Sequence, residues 1–391
     1  ILRDNNINTY CKCVYIIADA VAPQIDPNDP ANGSFGLLAD YKKENAMLID
    51  VHAHLLTEGM FNRHEFWGPF MKVQGLTVGH FSLGTKQPAK AATDAEAQAN
   101  ILARMSHASR RKLMAERGVD KLVMSTPSHC FMYWAGDFAN EYARICNDEL
   151  SAFCRADADH FDFWCHANLA DPQNAAKEIE RAVTQLGAKG VCVGGANFNG
   201  LEAHDERLFP VWEKLTQLDV PIMVHGFNQS IYWGEKHTDD KFETTSIVGD
   251  CVDETLFFWY LICGGALDVF PTLKTYITHA GGMAVFQLGR LSELNRAMAP
   301  DSRNQRPLMD YMQNFYFDLD VHAPGLRRGV AEVVGAERLL YGTNFGGAYD
   351  HGDLTEGIGL STEDRERIRS GNAIELLKLK VPANAGRVLT P

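Results

Sequence analysis

From residue 47 onward, short apolar runs rich in β-branched and aromatic residues alternate with stretches in which apolar positions recur every three or four residues. That alternation is the pattern of βα units feeding a parallel sheet. Eight strand-like runs are read at residues 47 to 53, 120 to 126, 161 to 168, 188 to 194, 219 to 225, 273 to 279, 314 to 320 and 338 to 344. Helix-period stretches fall between and after them, for example at 94 to 117, 138 to 156, 171 to 186, 206 to 218, 281 to 298 and 362 to 379. Asp171 followed by Pro172 is a good N-cap with proline in the first helical position. The count predicts an α/β fold, a closed (β/α)8 TIM-like barrel over 47–391 with long βα loops, preceded by an irregular N-terminal arm over 1–46. A doubly wound open sheet is the alternative, but the glycine-rich phosphate loop expected after its first strand is absent.

The strand ends carry the chemistry. His52 and His54 close the first run at positions i and i+2, so their imidazoles leave the same face and can grip one ion. His225 ends the fifth run, His279 the sixth, and Asn344 the eighth, where a carboxylate would have completed a metal-binding set. In a barrel all of these stand at the carboxyl rim, where catalytic groups gather. A single strand-end histidine is more often a hydrogen-bonded core or surface residue, but four in barrel register point to a ligand set. Two long loops, 55 to 93 and 226 to 252, overhang the same rim and carry Trp67, Phe227, Tyr232 and Trp233 as candidate pocket walls or lids.

Composition narrows the partners. The chain has 391 residues, 46% hydrophobic and 22% charged, and no apolar run of membrane-spanning length. A net charge of −13 with no basic stripe argues against nucleic acid and leaves a small molecule as the expected partner. Nine cysteines, an odd number without small-domain spacing, read as reduced thiols and suggest the cytoplasm. Residues 14 to 22 form a short apolar run resembling a secretion signal, but Asp19 interrupts it.

Further residues add a family likeness. They include Tyr133-Trp134-Ala135, Asn147-Asp148-Glu149-Leu150, Leu208-Phe209-Pro210, Gly264-Gly265 with Phe270-Pro271, Gly281-Gly282 after His279, Gly289-Arg290 and Gly371-Asn372-Ala373. Together with the histidines, these make residues 47 to 380 resemble the amidohydrolase superfamily, in the branch of aminocarboxymuconate-semialdehyde decarboxylase. The resemblance implies that His52, His54 and His225 are metal ligands and that His279 is the acid/base acting on a metal-bound water. It also implies that the last ligand is an aspartate, which here is Asn344. Arg110 and Arg290 correspond to arginines that hold substrate carboxylates, and a homodimer is implied.

The expectation is a metal-dependent non-oxidative decarboxylase of an aromatic or muconate-like carboxylate, with one divalent ion, Zn2+ before Mn2+ or Fe2+. A hydrolase of a C–N or C–C bond on the same scaffold and a non-catalytic binding protein are the alternatives. Asparagine at 344 keeps the shape of aspartate and removes one negative charge. It reads as an engineered change, a natural variant with shifted chemistry, or the mark of an impaired enzyme. Arg110 lies in Arg110-Arg111-Lys112, where a solvated charged face competes with a substrate role. A bridge on a helix face competes in the same way for Arg290, and ordinary packing for Trp134, Phe227 and Trp233. Asp320 and His322 are expected to support the ligands from behind.

Overall fold

The first strand, β1 (Ile49–His54), is buried along its whole length, with Ile49, Val51 and Ala53 alternating with Asp50, His52 and His54. The computed structural model describes residues 47–61, 105–127, 130–227, 244–345 and 352–380, all within the unit Asn45–Pro391. The arm at 1–46, Trp67, Tyr232, Trp233, His129 and His351 lie outside the described residues.

Next along the chain come α1 (His107–Arg117), β2 (Lys121–Ser125), α2 (Asp137–Ala156), β3 (Phe161–Phe163), β4 (Cys165–His166), α3 (Pro172–Arg181) and β5 (Val191–Gly194). A hairpin of β6 (Asn197–Phe198) and β7 (Leu201–Glu202) precedes α4 (Phe209–Leu218) and β8 (Ile222–His225). Then follow α5 (Asp250–Cys263), β9 (Thr275–Ile277), α6 (Leu288–Met298), β10 (Phe315–Phe317), α7 (Pro324–Val334), α8 (Thr362–Glu366) and α9 (Asn372–Leu377). The strands other than the hairpin pair in parallel, as the alternating pattern requires.

They form a sheet in the order β1-β2-β3 and a second in the order β10-β9-β8-β5-β4. Only Trp164 separates β3 from β4, so the single expected run 161 to 168 switches partners there. Trp164 N donates to Met124 O while Cys165 N donates to Gly190 O, and the indole Nε1 reaches Val51 O at 3.0 Å.

The eighth expected run forms no strand of its own. It makes parallel bridges on both sides, Leu339 to Phe317 and Phe345 to Ala53, with Val51 N on Tyr341 O at 3.0 Å and Phe345 N on His52 O at 2.7 Å. Gly342 permits that approach, since a Cβ there would sit 2.9 Å from His52 Cβ and 2.5 Å from the Tyr276 hydroxyl. Asn372 anchors the segment by donating to Ala336 O and Leu339 O, both at 2.7 Å.

The helices cover the sheets with one apolar face. In α2, Tyr142, Cys146, Leu150 and Cys154 are buried at four-residue spacing. Asn147 on the same helix receives His166 N and donates to His166 O, so it closes the polar edge of β4. Asp171 caps α3 by accepting from Asn174 N, with Pro172 in the first turn.

Two expectations need correction. The loop 226 to 252 ends early, because Thr245–Gly249 is already helical and leads into α5. The helix expected from 281 starts at Leu288, since residues 279 to 282 all have positive φ. The seven cysteines among the described residues are free, five of them buried. No helix among the described residues is long and apolar enough to cross a membrane.

Candidate metal centre

The carboxyl ends of β1, β8 and β9 deliver His52, His225 and His279 to one point. One ring nitrogen from each lies within 4.8 Å of the others. The His52 ring centroid is 5.1 Å from that of His225 and 5.0 Å from that of His279, and His225 and His279 are 5.2 Å apart. His54 joins through its ring, 4.9 Å from His225 and 5.4 Å from His52, while its Nδ1 meets Ser125 Oγ at 3.1 Å. The tightest set thus contains His279 beside two of the three histidines expected as ligands.

The donor set fits a metal ion. Both ring nitrogens of His52 and Nε2 of His225 are buried with no hydrogen-bond partner among the described residues, a costly state for a polar atom unless something else occupies its lone pair. His225 Nδ1 donates to Gly226 O at 2.7 Å, which leaves the Nε2 lone pair to face a cation. Burial, with the neighbouring His279 and His225, drives His52 well below its usual range. Burial and then His279 take His225 down to about 3. Both rings are therefore neutral near pH 7, as ligands must be.

His279 is different. Burial alone would lower it, but Glu254, assisted by Asp320 and Asp318, overrides that and raises it to about 10. Glu254 Oε1 lies 2.7 Å from His279 Nδ1 and also accepts from Thr278 Oγ1 at 2.6 Å and Gly226 N at 3.2 Å. One buried carboxylate on α5 thereby ties the end of β8 to the end of β9. Burial pushes Glu254 upward and His279 opposes it. The short contact favours the ion pair, with the proton on the imidazole.

The backbone around His279 is strained. His279, Ala280, Gly281 and Gly282 have φ of 49, 53, 75 and 62°, and such conformations in non-glycine residues persist where surrounding bonds enforce them. Asp318 supplies one such bond by accepting from Ala280 N at 2.9 Å. Its other oxygen accepts from the Tyr276 hydroxyl at 2.7 Å and lies 3.5 Å from His52 Nδ1. Asp50 accepts from His52 N and Thr343 N, and burial, against those bonds, raises it to about 7. Asn344 follows Thr343 at this same end with φ 53°.

The sequence reading missed Asp50, Glu254 and Asp318. Asp50 shares the parity of His52 and His54, and Asp318 that of Asp320, so an i, i+2 scan of acids at these strand ends finds both. Glu254 sits among acids in the first turns of an otherwise apolar helix, where acids are ordinary.

An aromatic wall stands beside the histidines. Phe227, two residues after His225, is 6% exposed, with ring centroids 6.0 Å from Phe131 and 5.7 Å from Tyr133. Trp134 is 43% exposed and Arg290 is exposed in the first turn of α6. The solvated-charge reading of Arg110 is corrected. Arg110 is 2% exposed and donates to His54 O at 2.6 Å, because α1 turns it inward beneath the end of β1. Burial, and then Arg117, lowers it to about 10.

The family model described as amidohydrolase matches residues 127–379, and the chain belongs to that family. A 2-keto-4-carboxy-3-hexenedioate hydratase of Sphingobium sp. is 26% identical over 354 residues, covering 83% of this chain and 94% of the relative. A gamma-resorcylate decarboxylase of Polaromonas sp. is 29% identical, covering 69% of this chain and 86% of the relative. Among solved structures, dihydroxybenzoic acid decarboxylase from Polaromonas sp., with bound manganese and the inhibitor 2-nitroresorcinol, superposes with a TM-score of 0.69. That match has 23% identity and covers 85% of this chain and 97% of the other.

Proposed function

We propose that this chain is a metal-dependent, non-oxidative decarboxylase of a planar aromatic or muconate-like carboxylate, built on a closed (β/α)8 barrel spanning 47–391. The bridges from Leu339 to Phe317 and from Phe345 to Ala53 support closure. The observation that carries the function is the meeting of His52, His225 and His279 at one point, where both ring nitrogens of His52 and Nε2 of His225 are buried with no hydrogen-bond partner among the described residues. His52, His54 and His225 would hold the ion, with the Asn344 amide at the same rim. When bound, the ion would supply Lewis-acid polarisation of an anionic substrate. Imidazoles suit Zn2+, and the manganese in the related decarboxylase makes Mn2+ the second ion to test.

His279 holds the proton. Kept charged by Glu254, it can deliver that proton to the ring carbon bearing the carboxylate. The carbon–carbon bond then breaks, its electron pair returns to the ring and carbon dioxide leaves. Phe227, Phe131 and Tyr133 would hold the flat substrate and exclude water from that carbon.

A second reading has its own support, since the hydratase covers more of both chains than the decarboxylase does. The same proton donor beside a polarised, conjugated tricarboxylate would serve addition of water. The deciding experiment incubates the Zn2+- or Mn2+-loaded protein with hydroxybenzoates and unsaturated tricarboxylates. Carbon dioxide release establishes decarboxylation. Loss of conjugated absorbance with gain of one water mass and no carbon dioxide establishes hydration and overturns the first reading.

A further inference from the structure

We propose that His166 is a specificity-determining residue, the point at which the pocket hydrogen-bonds a hydroxyl group on the planar substrate. The inference rests on the aromatic-carboxylate reading above and adds to it what else that substrate carries.

Strand register sets the direction of the side chain. His166 pairs with Cys192 on β5, and Cys192 with Met223 on β8, while two residues farther along Gly194 pairs with His225. Residues two apart on a strand share a face, so the imidazole of His166 leaves the same face as that of His225, one step before it. Phe131 reaches over this row, and Gly194 makes the room, since a Cβ there would stand 2.6 Å from the Phe131 ring. The Phe131 ring centroid lies 4.8 Å from that of His166. His166 is thus a polar member of the wall that Phe131, Tyr133 and Phe227 form, and the Tyr133 hydroxyl is already engaged, accepting from Gly194 N at 2.9 Å.

The imidazole has an unmet need. His166 is 2% exposed, and Asn147 satisfies both of its backbone groups, with His166 N on Oδ1 at 2.7 Å and Nδ2 on His166 O at 2.9 Å. The ring Nδ1 is buried with no hydrogen-bond partner among the described residues. Such an atom is costly to leave unmade, and a ligand group placed against it removes the cost. Burial alone lowers the ring to about 3, so it is neutral near pH 7. A neutral imidazole has one donor and one acceptor nitrogen, and a hydroxyl can satisfy either. A second carboxylate in that place would call for a proton on a ring that burial keeps uncharged.

The test uses the Mn2+-loaded protein and titration calorimetry with benzoate, the three monohydroxybenzoates and the three benzenedicarboxylates. The parent is expected to bind one monohydroxybenzoate about 10-fold tighter than benzoate. His166→Phe keeps a flat ring and removes both nitrogens. It should abolish that preference while leaving the affinities for benzoate and Mn2+ within about twofold of the parent. His166→Gln, which retains a donor and an acceptor, should keep part of the preference and serves if the phenylalanine variant folds poorly. In parent protein labelled with 15N-histidine, the ring signals missing from His166→Phe should move on adding the preferred hydroxybenzoate and stay in place with benzoate. A hydroxyl preference that survives in His166→Phe overturns the inference and assigns the hydroxyl to the ion. A parent that binds benzoate and the hydroxybenzoates equally, or prefers a dicarboxylate, overturns it as well. A parent that binds Mn2+ but none of these probes overturns the aromatic-carboxylate reading itself, so the two failures are distinguishable.

Discussion

Glu254 and His279, 25 residues apart in the chain, meet through Oε1 and Nδ1 at 2.7 Å inside the protein. The contact fixes the ring and keeps it charged, so its loss should appear first in the pH behaviour. His279 is raised from 6.5 to about 10. A raised histidine stabilises the fold fully below its unfolded value and loses that contribution as pH climbs through the folded one. In metal-depleted protein, the advantage of the parent over Glu254→Gln should therefore shrink from pH 6.5 to about 10. Turnover of Glu254→Gln should fall about 100-fold, with its alkaline limb moved toward neutrality. Parallel stability curves for the two proteins across that range would count against the charged pair.

Removing the ion should cost stability in proportion to its occupancy. At a free concentration 100 times Kd, a ligand specific for the folded state contributes about 2.7 kcal/mol. A chelator should lower the unfolding temperature of the loaded protein, and Zn2+ or Mn2+ should restore it. His225→Ala should abolish that response, whereas a metal shift of parental size would remove His225 from the ligand set.

Gly282 is constrained twice, by φ of 62° and by Cys251 O, which a Cβ would approach to 2.1 Å. Gly282→Ala should destabilise by about 2–3 kcal/mol. Gly289, inside α6 with nothing within 4 Å of where a Cβ would stand, is the control. Its alanine variant should gain about 0.5–1 kcal/mol. Urea midpoints measure both, and equal shifts would contradict the assigned strain.

Phe227 is predicted to act on substrate binding rather than on proton delivery. Phe227→Ala should raise KM more than it lowers kcat and leave Mn2+ affinity near the parental value. A fall in kcat with KM unchanged would instead give the ring a role only in the transition state.

The parallel pattern and the histidine set were legible because strands have a two-residue period, and His52, His54, His225 and His279 close apolar runs. The break at Trp164 was not legible, since a run that changes sheet partner reads the same as one that does not. Helix α5 escaped because its apolar residues do not fall on one stripe. The Asn199-Gly200 turn of the small hairpin, with φ of 53 and 92°, is marked in the sequence by the Asn-Gly pair that such turns favour. Glu254 and the inward turn of Arg110 depend on how helices pack against strand ends. Those long-range relations leave no periodic trace.

Because its imidazoles come from positions as distant as 52 and 279, and the first strand is completed by a bridge from residue 345, the proposed cation site belongs to the finished tertiary structure. A nascent polypeptide on the ribosome carries His52 and His54 long before His225 and His279 have been translated. On the proposed reading, metallation waits until synthesis of most of the chain is over, and fragments cut short before that point would lack the converging rings.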